Sequence, residues 1–254
     1  MAAGLLKCAI LAAGMSSRLG PLTEHLPKSC LAIDEGVTML ERNLRILEIC
    51  GFEEVLIVTG HAGHAIEDFV EQRASQTRLT TLHNSDYSVM NNIYTCYLLR
   101  DFLDEDTLIM NSDLVIGKGI VELAAEMVRT SDESFMMVDD RNPLDEESMK
   151  VHVDMDMLIT RVNKSLEIEK SHGEYIGILR LSKSDIPIFL ESTEGLLEAG
   201  ETGLYYEDAI DRSSDKLTVR SVSTEGVPWT EVDTLADLNT ARGIAKSLKS
   251  EIIT

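Results

Sequence analysis

The chain has 254 residues, 44% of them hydrophobic, which suits one large α/β domain with a sizeable core. Its 44 acidic side chains outnumber 23 basic ones, for a formal net charge of -21. That balance excludes nucleic acid and anionic membrane surfaces as partners, because phosphate-rich surfaces are met by an excess of Lys and Arg.

No apolar run approaches the roughly 20 residues needed to span a bilayer. The start, Met1 to Leu6, is too short for a secretory leader with a cleavage site. Cys8, Cys30, Cys50 and Cys96 form no CxxC pair, and they read as small buried residues of a cytoplasmic protein.

Lys7 to Leu11 reads as a short buried strand, followed directly by the glycine-bearing loop Ala12 to Leu19. Leu40, Leu44 and Leu47 recur at helical spacing, and Gly51 sits where a C-terminal cap belongs. Val55 to Val58 is an apolar run typical of a strand buried on both faces. His64 to Arg73 reads as a helix, Leu79 to Leu82 as a strand, Asn91 to Phe102 as a helix and Leu108 to Met110 as a strand. Gly119 to Arg129 continues as a helix and Phe135 to Val138 as a strand. Such alternation predicts an α/β fold: a doubly wound, mostly parallel (mixed) sheet with helices on both faces. Val151 to Val153, Ile159 to Val162 and Tyr175 to Leu181 suggest an antiparallel addition, and Leu235 to Leu248 a closing helix. One domain over residues 1–254 is expected, with a nucleotide-binding half at 1–140 and an acceptor-binding half at 141–254.

The chemistry concentrates first in Leu11-Ala12-Ala13-Gly14-Met15-Ser16-Ser17-Arg18-Leu19, followed by Pro27-Lys28-Ser29. Small residues after a strand expose backbone N–H groups that a triphosphate can approach closely. Arg18 adds a planar charged fork and Lys28 a mobile point charge, suited to the β- and γ-phosphates. Neither a Walker A loop nor a GxGxxG dinucleotide fingerprint is present.

On these residues the chain resembles the nucleotidyltransferase superfamily of glucose-1-phosphate thymidylyltransferases, with its strand, LAAG, Ser/Thr-Arg and Pro-Lys. Val58-Thr59-Gly60 matches a turn of that family. Asn91-Asn92-Ile93-Tyr94-Thr95 resembles the Asn-Asn-x-Tyr-Ser segment of the choline-phosphate and phosphonate cytidylyltransferase branch. The resemblance implies a Rossmann-like fold and CMP transfer from CTP to a small phosphorylated or phosphonate acceptor.

Asp113, at the end of an apolar strand in Asn111-Ser112-Asp113, stands where open α/β sheets place ligands. Asp233 lies in Trp229-Thr230-Glu231-Val232-Asp233. The resemblance makes these two the Mg²⁺ ligands, since Mg²⁺ needs only one or two protein carboxylates. Taken alone, Asp113 could begin a turn and Asp233 cap the last helix. By resemblance Lys150 reaches the α-phosphate or the acceptor phosphate, and Glu174 and Gly177 belong to the acceptor strand. Asn84, Asn91 and Ser112 are placed near the nucleotide, the two asparagines as readers of cytosine.

Tyr206 and Asp208, in Tyr205-Tyr206-Glu207-Asp208, match the positions that hold a cationic head. A ring face with a carboxylate is sound chemistry for an ammonium. No aromatic residue occurs between Asp139 and Lys150, where choline enzymes carry one, and this favours a primary amine or a compact polar head. A hexose-phosphate or inositol-phosphate nucleotidyltransferase, and a non-catalytic domain of the same fold, are the alternatives. A homodimer is compatible with these expectations.

Overall fold

The computed structural model describes residues 5–252. They form two compact units, each discontinuous in sequence: residues 5–88, 110–129 and 227–252, and residues 89–109 with 130–226. The division expected after residue 140 does not follow these units. The strands make a mixed, mostly parallel sheet accompanied by helices, as the alternation of elements predicts.

In the first unit the strand Lys7–Ala12 is buried along its whole length. It runs parallel to Glu54–Thr59, with Leu11 opposite Val58 and Ala12 opposite Thr59. Glu54–Thr59 in turn runs parallel to Arg78–His83. Burial on both faces explains why 55–58 is continuously apolar rather than alternating. The helix Met39–Ile49 begins at Thr38, whose hydroxyl accepts the Glu41 N–H at 3.1 Å. It ends before Gly51, whose φ of +85° suits the left-handed residue that closes a helix. Leu40, Leu44 and Leu47 face the core from this helix.

Two three-residue strands have no counterpart in the sequence pattern. Leu114–Ile116 pairs antiparallel with Trp229–Glu231, Leu114 opposite Glu231. Val232 N–H extends the pairing by donating to the Asp113 carbonyl at 3.0 Å. Strands this short carry too few residues for a period to register. Their partner is the closing helix Leu235–Ser247, whose N-terminus is a reciprocal box of Thr234 and Asp237. Val115, Val232, Leu238, Ala241 and Ala245 share one apolar cluster with Leu19, Leu31 and Ile33.

In the second unit Gly173–Leu181 pairs antiparallel with Ser134–Asp139 and with Lys150–Val153. Lys150–Val153 forms a hairpin with Ile159–Asn163. Val219–Ser223 adds a parallel neighbour to Ser134–Asp139, which the sequence does not announce. The helix expected over 91–102 is α-helical only across Asn92–Tyr97 and then tightens to a 3₁₀ turn at Leu98–Asp101. The helix Ile186–Glu198 escaped the periodicity reading. Apolar residues occupy much of its circumference, and Pro and Gly interrupt its sequence. Among the described residues, no helix is long and apolar enough to cross a membrane.

Gly60 shows how the first unit constrains its loop. A Cβ there would lie 2.4 Å from the Ala13 carbonyl oxygen and 2.8 Å from the Ala13 Cα. The turn at 58–60 is therefore a wall against which the loop after the first strand rests. Gly60→Ala is expected to lower stability by about 1–3 kcal/mol through overpacking against backbone, read as an earlier urea midpoint at unchanged slope. An unaltered midpoint would show that the loop yields freely.

Candidate functional site

The loop that leaves the first strand is held from one side and open on the other. Behind it, His61 N–H donates to the Ala13 carbonyl at 3.3 Å. His61 Nε2 donates to the Thr23 carbonyl at 2.7 Å, and the Thr23 hydroxyl donates to the Ser16 carbonyl at 2.9 Å. Gly14 is exposed, and a Cβ built on it would meet nothing within 4 Å. Its lack of a side chain serves no packing need of the chain, which leaves the backbone approachable from outside.

Beside the loop, Lys28 joins the two acids named from sequence. Its Nζ lies 2.8 Å from Asp113 Oδ2 and 2.8 Å from Asp233 Oδ1. Arg18, more than half exposed, reaches the other Asp233 oxygen at 2.7 Å. Burial by itself would lower the Lys28 pKa, but Asp113 and Asp233 reverse that and hold it well above the usual lysine range. The short strand pair positions all of this. Asp113 precedes one strand and Asp233 follows the other, so the antiparallel register brings them together. The Asp233 N–H donates to Asp237 Oδ2 at 3.1 Å, which ties its backbone to the start of the last helix. Thr234 and Asp237 cap that helix, so the Asp233 carboxylate is directed to the cations instead.

Glu231 completes the group. Carboxylate oxygens of Asp113, Glu231 and Asp233 lie within 4.8 Å of one another. Asp113 Oδ1 is buried without a hydrogen-bond partner. A buried carboxylate oxygen lacking a donor, in a cluster of three, fits a hard divalent cation that takes oxygen ligands. Glu231 was missed from sequence. The signal was its position two residues before Asp233, on the same side of an extended segment.

Other expected nucleotide contacts are placed as follows. Leu11, Ala12 and Ala13 are buried where the strand meets the loop, and Ser112 donates its N–H to the Leu11 carbonyl at 3.3 Å. Asn84 is fully buried. Its N–H donates to the Thr59 carbonyl at 2.8 Å and its Oδ1 accepts the Asp86 N–H at 2.9 Å. It shapes the strand end, which takes that oxygen away from base reading. In the second unit Asn91 caps the helix Asn92–Tyr97 through Oδ1 and donates from Nδ2 to the Gly203 carbonyl at 2.9 Å. Its side chain holds a loop.

The expected acceptor residues of the second unit mostly serve its own architecture. Lys150 is 1% exposed and gives its three ammonium hydrogens to the carbonyls of Glu146, Ser148 and Lys164 at 3.1, 3.0 and 2.6 Å. It is a brace, and reaching a phosphate would require it to abandon all three. Gly177 has φ +83° inside the stretch where strand register shifts, a bulge rather than a flat acceptor surface. Tyr206 is 0% exposed, with its hydroxyl 2.6 Å from that of Tyr175, so its ring face is not offered to a ligand. Asp208 accepts from Tyr205 N–H at 2.8 Å and from Asn163 Nδ2 at 3.1 Å. Glu174 is half-buried opposite Lys150, and burial raises its pKa.

With this geometry in view, the chain can be set beside known proteins. Residues 8–153, more than half of it, match the MobA-like NTP transferase domain. The chain belongs to this family. The chain is 30% identical over 119 residues to the CMP-5'-(3-aminopropyl)phosphonate synthase of Streptomyces rubellomurinus, covering 47% of this chain and 19% of that protein. It is 23% identical over 252 residues to the CTP:phosphoglutamine cytidylyltransferase of Campylobacter jejuni, covering 90% of this chain and 96% of that one. It therefore spans about a fifth of the first relative and nearly all of the second. Among solved structures, the CTP:phosphocholine cytidylyltransferase from Streptococcus pneumoniae shares the fold, with a TM-score of 0.76 at 19% identity over 95% of this chain and 99% of that one.

Glu207, neighbour to Tyr206, is 4% exposed, and burial pushes its carboxyl up to about 8 from 4.5. A raised folded-state pKa favours the protein fully below the unfolded value and is lost as pH climbs through the folded one. Relative to Glu207→Gln, the wild type is expected to lose stability from pH 4.5 to about 8, by at most about 1.4 kcal/mol per pH unit. Parallel stability curves across that window would refute the neutral buried carboxyl.

Proposed function

We propose that the chain is a cytidylyltransferase, moving CMP from CTP to a small phosphorylated or phosphonate acceptor and releasing pyrophosphate. The observation that carries this reading is the convergence of Arg18, Lys28, Asp113 and Asp233 beside an open glycine loop, from segments as far apart as 215 residues. The choice of CTP is supported by relatives named for CMP or CTP chemistry and by Asn91 to Thr95. The expected acceptors are of the phosphocholine or 2-aminoethylphosphonate kind. With Tyr206 buried, a trimethylammonium cage has little support, and compact head groups fit better.

In the proposed reaction an acceptor oxygen forms a bond to the α-phosphorus of CTP, and the bond to the bridging oxygen breaks. Pyrophosphate leaves with the electron pair. A phosphate monoester has its second pKa near roughly 6, so the attacking oxygen is already anionic and no protein base is required. Positioning and charge neutralisation are what remains for the protein. Asp113 and Asp233, with Glu231, would hold Mg²⁺, which when bound supplies Lewis-acid stabilisation of phosphate oxygens. Arg18 and Lys28 exchange their carboxylate partners for the β- and γ-phosphate oxygens. The open backbone at Ala13–Gly14 lets the triphosphate come close.

Two measurements test this. Pyrophosphate release should be faster with CTP than with UTP, dTTP or ATP across a panel of small phosphates and phosphonates. A higher kcat/KM with UTP or dTTP and glucose-1-phosphate would assign the protein to sugar chemistry. Lys28→Ala should lower kcat by about 10²–10³, because its charge acts on the departing pyrophosphate. The same variant should bind Mn²⁺ more tightly in the absence of nucleotide, since the ammonium no longer competes for Asp113 and Asp233. A rise confined to the KM for CTP, with metal affinity unchanged, would remove this role from Lys28.

A further inference from the structure

A second cation of the first unit is buried with far less company than Lys28. Arg42, on the helix Met39–Ile49, is 1% exposed. Its Nη2 donates to the Ile116 carbonyl at 3.1 Å and to Glu251 Oε2 at 3.3 Å. Its Nε and Nη1 are buried and have no hydrogen-bond partner. A guanidinium keeps its proton inside a protein, so the hydrogen on Nε and the pair on Nη1 stay unmatched. Burial lowers the Arg42 pKa, and Glu251 with Asp34 does not make up the loss. Two aspartates at Lys28 produce the opposite outcome. Asp34 is itself paired with Lys249 at 3.0 Å. In the second unit Arg180 is equally buried, but it reaches Asp106 at 2.7 Å and the Glu133 carbonyl, and only its Nε lacks a partner.

The carboxylate at Arg42 is shared. Glu251 Oε2 also accepts the Lys118 N–H at 2.8 Å. Lys118 opens the 13-residue helix Lys118–Thr130, whose first N–H groups and dipole favour an anion. The start of that helix is fixed. Gly117 N–H donates to the Pro228 carbonyl at 2.8 Å, and a Cβ on Gly117 would lie 2.4 Å from Val227 Cγ1. Guanidinium and helix start therefore converge on one oxygen from different elements of the same unit. Glu251 fills the place incompletely. It sits on the short turn Lys249–Ile252, its side chain is 25% exposed, and its contact with Arg42 is long and single-pointed.

We propose that Arg42 and the start of the helix Lys118–Thr130 form a binding site for a phosphate-type oxyanion, which Glu251 occupies in the anion's absence. A tetrahedral anion presents oxygens to the guanidinium fork and to the helix start at once. It gains bidentate, charge-assisted hydrogen bonds that one carboxylate oxygen does not supply. Glu251, already partly exposed, turns its side chain to solvent when displaced. The Arg42 nitrogen that meets Glu251 also holds the Ile116 carbonyl, at the far end of the strand that Asp113 precedes. The inference is independent of the cytidylyltransferase reading.

Inorganic phosphate is the probe, titrated into the full chain at constant ionic strength without nucleotide or divalent metal. The backbone amide shift of Lys118 reports this site, and that of Gly14 reports any phosphate drawn to Arg18 and Lys28. E251Q removes the competing charge, so the Lys118 response should saturate at about tenfold lower phosphate than in wild type. Adding R42Q to E251Q should abolish the Lys118 response and leave that of Gly14 unchanged. A Lys118 amide that stays still in E251Q, or that moves as much with chloride, overturns the proposal. So does a midpoint equal to that of wild type. Where the R42Q double variant does not fold, R42K in the E251Q background decides, because lysine keeps the charge but not the fork. Weaker binding there sustains the site, and binding as tight as in E251Q reduces it to attraction by charge alone and overturns it.

Discussion

A buried ammonium must find partners for its charge, and where Lys150 takes three backbone carbonyls, Lys28 takes two aspartates that lie far apart in the sequence. Much of the first unit exists to satisfy it. The pairing of Leu114–Ile116 with Trp229–Glu231 sets the separation of Asp113 and Asp233. The helix Met39–Ile49 fixes the first of these strands: Asn43 Nδ2 donates to the Leu114 carbonyl at 3.0 Å and Arg42 to the Ile116 carbonyl at 3.1 Å. The helix Leu235–Ser247 anchors the second through Asp237. Remove either acid and the ammonium keeps one partner in a place that demands two.

The same cluster explains how a chain of net charge -21 can face a polyanion. Arg18 and Lys28 stand against Asp113, Glu231 and Asp233, so the centre carries slightly more negative than positive charge. On the proposed reading, a nucleoside triphosphate arrives there in company with a cation that answers the carboxylates. Charge in this site is arranged as exchangeable pairs rather than as a standing positive field. The overall acidity of the surface then serves solubility without opposing binding.

Where local signals and tertiary demands agree, the sequence was readable. The strands Lys7–Ala12 and Glu54–Thr59 are continuous apolar runs ended by small residues, and the loop residues Ala13, Gly14 and Arg18 follow the first closely, with Lys28 next after them in Pro27-Lys28-Ser29. Asp113 was legible as an acid at a strand end and Asp233 through the family resemblance, but their company was not. Their contact depends on three-residue strands that carry no period, and Glu231 went unnoticed for the same reason. The second unit was harder. Lys150, Asn91 and Tyr206 have the residue types of a binding site, yet each spends its polar groups on the chain's own backbone or on a neighbouring ring. Residue type at a position does not reveal whether a side chain is saturated, because saturation is a property of burial and of what lies across the fold.

The span between Lys28 and Asp233 also has a temporal side. They are 205 residues apart and meet inside the first unit, which the second unit interrupts twice. During synthesis the loop, the lysine and Asp113 emerge long before their last partner, so the earlier segments wait with an ammonium half answered. Closing so long a loop is slow and entropically costly compared with forming the local helices. The ion pair at the heart of the first unit therefore cannot form until the segment that carries Asp233 has been synthesised.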